Sequence, residues 1–191
     1  MRDYLLIFVQ AMLVQNFTLV LFLGLCPFFG VTGKVSVAVR LGLADTFVLT
    51  MTSVVASVLN TWVLTHTPYL RTIAFIVVIA SAVQVTEMAI KKWSPVLFRE
   101  LGIYLPLITT NCAILALAVF QTNRGYHFFE GLTFAVGAGI GLIIALTLMA
   151  SIRERLDVAD VPAVAKGIAI VLIVSGALSL AFMGFAGMLS A

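Results

Sequence analysis

Six long apolar segments, separated by short polar connections, account for most of the chain. A helix needs about 20 apolar residues to cross the roughly 30 Å hydrocarbon core of a bilayer. A soluble domain of 191 residues that is 62% hydrophobic and 10% charged could not hide so much apolar surface. The sequence therefore predicts an all-α integral membrane protein that forms one membrane domain. The six predicted transmembrane helices are Tyr4–Phe29, Leu41–Leu64, Ile73–Ile90, Leu101–Phe120, Leu132–Ile152 and Ile168–Leu189.

The basic residues are distributed unequally between the two ends of these helices. The side that holds the N-terminus has three of them, Arg2, Arg71 and Arg124. The opposite side has eight, namely Lys34, Arg40, Lys91, Lys92, Arg99, Arg153, Arg155 and Lys166. Because cytoplasmic loops carry the excess of Lys and Arg, the opposite side is predicted to be cytoplasmic and both termini to face outward. A formal net charge of +3 without a basic tract does not indicate nucleic-acid binding.

The two halves of the chain, about 1–92 and 93–191, resemble each other weakly. The segment IAFIVVIASAVQVTEM at Ile73–Met88 aligns with IAIVLIVSGALSLAFM at Ile168–Met183, and Cys26 aligns with Cys112. Each half has three predicted helices, and an odd number forces the second half to insert upside down. The sequence therefore predicts an inverted 3+3 repeat, whose sites lie near the bilayer midplane on interrupted helices.

Both cysteines of the chain lie in apolar segments beside residues that a lipid-facing helix does not favour. The fourth predicted helix contains, within a few positions, Pro106, Thr109, Thr110, Asn111 and Cys112. In the first predicted helix, Pro27 follows Cys26 directly. Proline removes a helical hydrogen bond, and lipid cannot satisfy the polar groups. The sequence therefore predicts interrupted helices at the two cysteines, facing protein or a bound group.

The cysteines allow two interpretations. Two thiolates supply half of the four ligands that a [2Fe–2S] or [4Fe–4S] core requires. His66 and His127 are predicted to lie in outer loops and cannot complete a midplane site. A cluster would therefore need ligands from a second chain. Alternatively, each cysteine is a small buried hydrophobic residue.

Two acidic residues lie within the predicted membrane segments. Glu87 is one helical turn before Lys91, so it is either a boundary acid paired with that lysine or part of a cation or proton path. Asp45 allows the same alternatives. The uncharged polar residues in the spans are predicted to make interhelical hydrogen bonds. They are Gln10, Gln15, Asn16 and Gln84.

Two further motifs have structural interpretations. Gly137, Gly139 and Gly141 lie in an apolar helix without a preceding strand, so they predict close helix packing and not a nucleotide-binding loop. The charged segment RERLDVADVP, Arg153–Pro162, is predicted to be a loop on the cytoplasmic side. It is either solvated or a docking surface for a cytoplasmic partner.

Three motifs together resemble a known family. FLGLCPF at Phe22–Phe28, LGIYLPLITTNCA at Leu101–Ala113 and RERLDVADVP at Arg153–Pro162 resemble the A subunits of the Rnf complex. That complex is an ion-translocating ferredoxin:NAD oxidoreductase, and its A subunits are similar to the E subunits of the Na⁺-translocating NADH:quinone reductase. The resemblance extends over the whole chain.

The resemblance implies a [2Fe–2S] cluster at mid-membrane, shared between this chain and a homologous chain. Cys26 and Cys112 match the family's cysteine ligands, and the homologous E subunit of the Rnf complex, in opposite orientation, gives two more. The other implied partners are the B, C, D and G subunits, and the implied location is the bacterial inner membrane with periplasmic termini. The implied function is electron transfer that couples ferredoxin and NAD chemistry to translocation of Na⁺ or H⁺.

On this interpretation Cys26 and Cys112 are the metal ligands, and four residues beside them shape the cluster environment. These four are Pro27, Thr109, Thr110 and Asn111. Asp45 and Glu87 are candidates for the ion path. Two other classes remain open on sequence grounds: an inverted-repeat secondary transporter, and a structural anchor for redox subunits.

Overall fold

The computed structural model describes residues 2–62, 71–93, 107–108, 110–159 and 167–186. All regular structure in these ranges is helical. The helices are α1 (Arg2–Val9, continued by a π-helical turn over Gln10–Val14), α2 (Leu25–Val31), α3 (Val35–Trp62), α4 (Arg71–Trp93), α5 (Cys112–Asn123), α6 (Phe128–Val158) and α7 (Ile168–Ala186).

Three of the described helices are long and apolar enough to cross a bilayer. They contain the segments Val35–Thr61, Phe128–Val158 and Ile168–Phe185. Shorter apolar helical segments cover Tyr4–Val14, Ile73–Val85 and Cys112–Asn123, which lie within or close to three other predicted spans. An all-helical chain with several apolar helices is what the sequence predicts for an integral membrane protein.

The centre of the fold is the contact between α3 and α6, which is the most extensive between any two described helices. Helix α6 also packs against α1 and the π-helical turn. This approach requires glycine in α6, because a Cβ atom at Gly137 would lie 2.8 Å from the carbonyl oxygen of Phe8 and one at Gly141 would lie 2.7 Å from that of Met12. The prediction that the glycines of this segment allow close helix packing is confirmed.

The first apolar segment is not one continuous helix. Regular helical structure ends at Val14 and resumes at Leu25. Asn16, which is 1% exposed, stabilises the irregular segment between them. Its side-chain oxygen accepts hydrogen bonds from the backbone N–H groups of Thr18 (3.1 Å) and Leu19 (3.2 Å), and its amide donates to the carbonyl of Gly141 (2.9 Å).

These three bonds allow the backbone to leave the helix inside an apolar region, because backbone groups that lose helical partners must find others. Because Asn16 lies outside regular helical structure, its bond to Gly141 ties the irregular segment to α6 and does not join two helices.

The charged motif after the fifth predicted span is helical over much of its length. Helix α6 continues through Arg153 and Glu154 and ends at Val158, so the prediction of a loop beginning at Arg153 is wrong. The reason is that Arg, Glu and Leu, which begin the motif, are good helix formers, and its proline, Pro162, comes only after the helix has ended. Residues 160–166 lie outside the described part of the chain.

Candidate functional site

Cys112 is the first residue of α5, and Asn111 caps that helix. The side-chain oxygen of Asn111 accepts a hydrogen bond from the backbone N–H of Ala113 at 3.1 Å. Asn111 is buried, whereas Cys112 is exposed. The cap fixes the backbone on both sides of the cysteine.

Cys26 is the second residue of α2, and the backbone before it is held by Gly24 in the left-handed region, at φ 79°. The N–H of Gly24 donates a hydrogen bond to the sulfur of Cys112 at 3.0 Å. A Cβ atom at position 24 would lie 3.1 Å from the side-chain oxygen of Asn111 and 3.3 Å from the Cβ of Ala113. Both the conformation and the space therefore require glycine, and the contact brings the Cys26 turn to Cys112.

Both cysteines are free and exposed. A cavity of about 250 Å³ opens beside Cys112 between α4 and α5, and Ile76, Ile79 and Thr110 are among the residues that line it. In the described part of the chain, no group of three or more His, Cys, Asp or Glu side chains could hold a metal ion. The donor set that this chain offers here is thus a pair of exposed cysteines.

Asp45 is connected to the Cys112 turn through Asn111. It is on α3, is 0% exposed, and its Oδ2 atom accepts a hydrogen bond from the side-chain amide of Asn111 at 3.3 Å. Its other oxygen, Oδ1, is buried and has no hydrogen-bond partner among the described residues. Asn111 therefore joins a buried acid to the helix turn that begins with a cysteine. A buried polar oxygen without a partner is costly, which makes Asp45 a candidate for binding a proton or a cation.

The remaining predicted site residues fall into two groups. Pro27 is buried in the first turn of α2, where its missing N–H removes no helical bond, and Thr110 is exposed just before Asn111. Thr109 lies outside the described residues, and so does the side chain of Glu87, whose backbone belongs to α4.

Sequence reasoning did not single out Gly24. The only local signal is its position between two leucines, two residues before Cys26 in FLGLCPF. The bond to sulfur connects positions 88 residues apart, so it becomes visible only in the folded chain.

His127 has a structural role at another position. It is the N-cap residue of α6, and its backbone N–H donates to the carboxylate of Glu130 at 3.0 Å, which completes a capping box.

The fold and this site define a helical membrane protein that brings two exposed cysteines, from distant parts of the chain, to one locality. The family model described as "Rnf-Nqr subunit, membrane protein" matches residues 4–189. The chain belongs to this family, and the resemblance based on three motifs is confirmed.

Curated relatives are similar over nearly the full length. The chain is 55% identical over 190 residues to the A subunit of the ion-translocating oxidoreductase complex of Shigella flexneri serotype 5b. It is 54% identical to the proteins with the same name in Salmonella paratyphi B and Salmonella newport. Each alignment covers 98% of this chain and 98% of the relative.

Proposed function

We propose that this chain is the A-type membrane subunit of an ion-translocating oxidoreductase complex and that it carries electrons through the membrane. The names of its relatives support the first part. The observation that carries the second part is the 3.0 Å hydrogen bond from the N–H of Gly24 to the sulfur of Cys112. This bond joins the turns of the two cysteines, while both thiols remain exposed to a partner.

The chemistry of the site fits half of a [2Fe–2S] cluster. Such a cluster takes four thiolates, and this chain can give two, Cys26 and Cys112. We propose that the homologous E subunit, in opposite orientation, gives the other two, and that the B, C, D and G subunits complete the complex. Both cysteines are exposed, so a second chain can approach them and add its own ligands to the same cluster. This exposure supports a shared cofactor.

The proposed architecture is six transmembrane helices in an inverted 3+3 repeat, with the cysteines at interrupted helices. Two observations support it. Helix α2, in the first half, begins one residue before Cys26, and α5, in the second half, begins at Cys112. The proposed location is the bacterial inner membrane with both termini in the periplasm, as the distribution of basic residues predicts.

The chemistry that a bound [2Fe–2S] cluster would supply is one-electron transfer. The residues of this chain hold and tune the cluster. The N–H of Gly24 stabilises negative charge on the sulfur of Cys112, and hydrogen bonds to cluster sulfur atoms influence the reduction potential. Buried Pro27, together with Thr109, Thr110 and Asn111, is proposed to shape the surroundings.

Asp45 is the residue that we propose for coupling to ion movement, with Glu87 as a second member of the path. Asp45 is joined through Asn111 to the cysteine turn, and one of its oxygens is unpartnered within the described residues. An electron that arrives beside Cys112 adds negative charge in a medium of low dielectric constant, where like charges repel strongly. Uptake of Na⁺ or H⁺ at the carboxylate would relieve this repulsion.

The experiment is EPR spectroscopy of the complex purified with all its subunits, oxidised and dithionite-reduced. Wild type, Cys26→Ser and Cys112→Ser are compared, and the presence of every partner subunit is verified in each sample. We expect a reduced [2Fe–2S] signal that both variants lose. If both variants keep the wild-type signal, this chain does not hold the cluster, and the anchor or transporter class replaces the proposal.

A further inference from the structure

Helix α6 contacts the C-terminal end of α2, which is the end farther from Cys26. The Nη1 group of Arg153 donates hydrogen bonds to the carbonyl oxygen of Phe29 (3.3 Å) and to the hydroxyl of Thr32 (3.2 Å). Thr32 is 0% exposed and follows the last residue of α2. Because the last carbonyl groups of a helix lack intrahelical partners and carry partial negative charge, a guanidinium is a suitable group for this position.

The neighbouring residue, Glu154, holds the start of the next helix. Its Oε1 atom accepts a hydrogen bond from the backbone N–H of Val35, the first residue of α3, at 2.9 Å. A carboxylate stabilises a helix N-terminus for the same electrostatic reason, with the sign reversed. Two consecutive residues of α6 therefore hold both sides of the connection between α2 and α3, each with the charge that its helix end prefers.

The second half of the same charged motif differs. Arg155, Asp157 and Val158 are exposed, and neither Arg155 nor Asp157 makes a side-chain hydrogen bond or ion pair within the described residues. The motif is thus divided between two residues that contact the chain itself and residues that face solvent. This division provides matched controls a few positions away.

We propose that Arg153 and Glu154 are positioning residues of the cysteine site, acting on Cys26 through α2. Helix α2 is short, about 10 Å for seven residues at 1.5 Å each, so a shift at its end is transmitted to its beginning. At the beginning, the N–H of Gly24 contacts the sulfur of Cys112. Arg153 and Glu154 therefore set where Cys26 lies relative to Cys112. This inference rests on the function proposed above.

The charge of Arg153 adds a second effect. A positive charge at the end of α2 stabilises an added electron near its beginning, and its removal makes reduction less favourable. Arg153→Gln is therefore expected to shift the midpoint potential of the cluster to a more negative value and to change its EPR line shape. Arg153→Lys keeps the charge but not the planar group, so it should restore most of the potential while the line shape stays altered.

The test is a redox titration of the purified complex monitored by EPR, with Arg155→Gln as the control of equal charge change. Glu154→Ala, which removes the acceptor of the Val35 N–H, is compared with Asp157→Ala in the same way and is expected to change the line shape. If Arg153→Gln and Arg155→Gln give the same potential and the same spectrum, the inference is overturned.

If Arg153→Gln prevents assembly of the complex, Thr32→Val provides a second test. It removes one of the two acceptors of Arg153, together with the bond that the Thr32 hydroxyl donates to the carbonyl of Phe28 (2.8 Å), and leaves the charge in place. Thr32→Ser keeps the hydroxyl and both bonds. We expect an altered line shape for Thr32→Val and a wild-type spectrum for Thr32→Ser; a wild-type spectrum for both contradicts the inference. Failure of the proposed function is recognised separately, because the reduced signal would then survive both cysteine substitutions.

Discussion

The two cysteines look equivalent in sequence, each late in an apolar segment and beside polar or proline residues, but the fold supports them differently. Cys112 starts a twelve-residue helix and is preceded by its own N-cap, Asn111. Cys26 lies in a seven-residue helix whose N-cap makes no side-chain hydrogen bond. The turn of Cys112 is held mainly by local contacts, and that of Cys26 by distant ones.

Three distant contacts, made by two helices, hold the Cys26 turn. Asn16 ties the preceding segment to Gly141, Gly24 contacts Cys112, and Arg153 holds the far end of α2. Helix α6 supplies two of these three contacts. The position of Cys26 relative to Cys112 therefore depends on the packing of α6 as well as on the residues beside the two cysteines.

The largest effect is expected at Gly24, where the Cys26 region contacts the Cys112 region. Gly24→Ala places a Cβ atom in the left-handed region and against the side chain of Asn111, which should cost more than about 1 kcal/mol and displace the N–H from sulfur. We expect most of the [2Fe–2S] signal per complex to be lost, as measured by EPR spin quantitation. Gly33→Ala is the control, because a Cβ atom there meets nothing within 4 Å and should leave the signal unchanged.

The second largest effect is expected at Asn16, which supports the Cys26 region but not the Cys112 region. Asn16→Ala leaves the backbone N–H groups of Thr18 and Leu19 without their acceptor, at a cost of about 1–3 kcal/mol for each buried group that stays unsatisfied, and removes the tie to Gly141. We expect a lower thermal stability of the complex and a reduced cluster content. Asn60→Ala is the control, because it also removes an asparagine but lies about 22 Å along α3 from Asp45. If the two variants have the same thermal stability and the same cluster content, this role of Asn16 is contradicted.

A smaller effect is expected from the local support of Cys112. Asn111→Ala removes an N-cap, worth about 1 kcal/mol, and also the hydrogen bond to Asp45. Asn111→Asp keeps the capping oxygen but places a second carboxylate against Asp45. We expect Asn111→Ala to retain more cluster than Gly24→Ala in the same EPR assay. If Asn111→Ala loses as much cluster as Gly24→Ala, the hydrogen bonds of Asn111 are as important for the cluster as the contact of Gly24.

The smallest effect on the cluster is expected at Asp45. Asp45→Asn keeps the shape of the side chain, so the [2Fe–2S] signal should remain while ion flux falls; Glu87→Gln is predicted to do the same. Ion uptake by proteoliposomes that contain the complex is the measurement, with Asp157→Asn as a surface control. Unchanged flux in both variants would remove the acids from the proposed path.

The sequence was sufficient to predict the helical membrane class and the family, because long apolar segments and short motifs are local signals. It also identified both cysteines and Asn111, since polar residues and proline are conspicuous in an apolar segment. The irregular segment before Gly24 was not predicted in detail. Its residues are mostly apolar, and their departure from the helix depends on the bond between Asn16 and Gly141, 125 residues away.

The charged motif shows the same limit. Arg153 and Glu154 look like any other charged residues of a cytoplasmic loop, and their roles depend on acceptors and donors more than 100 residues earlier. Periodicity and composition do not contain such pairings. The contrast between Arg153 and Arg155, two positions apart, is therefore a property of the fold.

The most direct test of the central claim is a cryo-EM map of the intact complex at a resolution that separates metal from protein density. The account predicts a two-iron density in contact with the sulfur atoms of both Cys26 and Cys112, and with two cysteines of a homologous chain in opposite orientation. Two separate thiols without metal density between them, in a complex that contains all its subunits and its other cofactors, would contradict it.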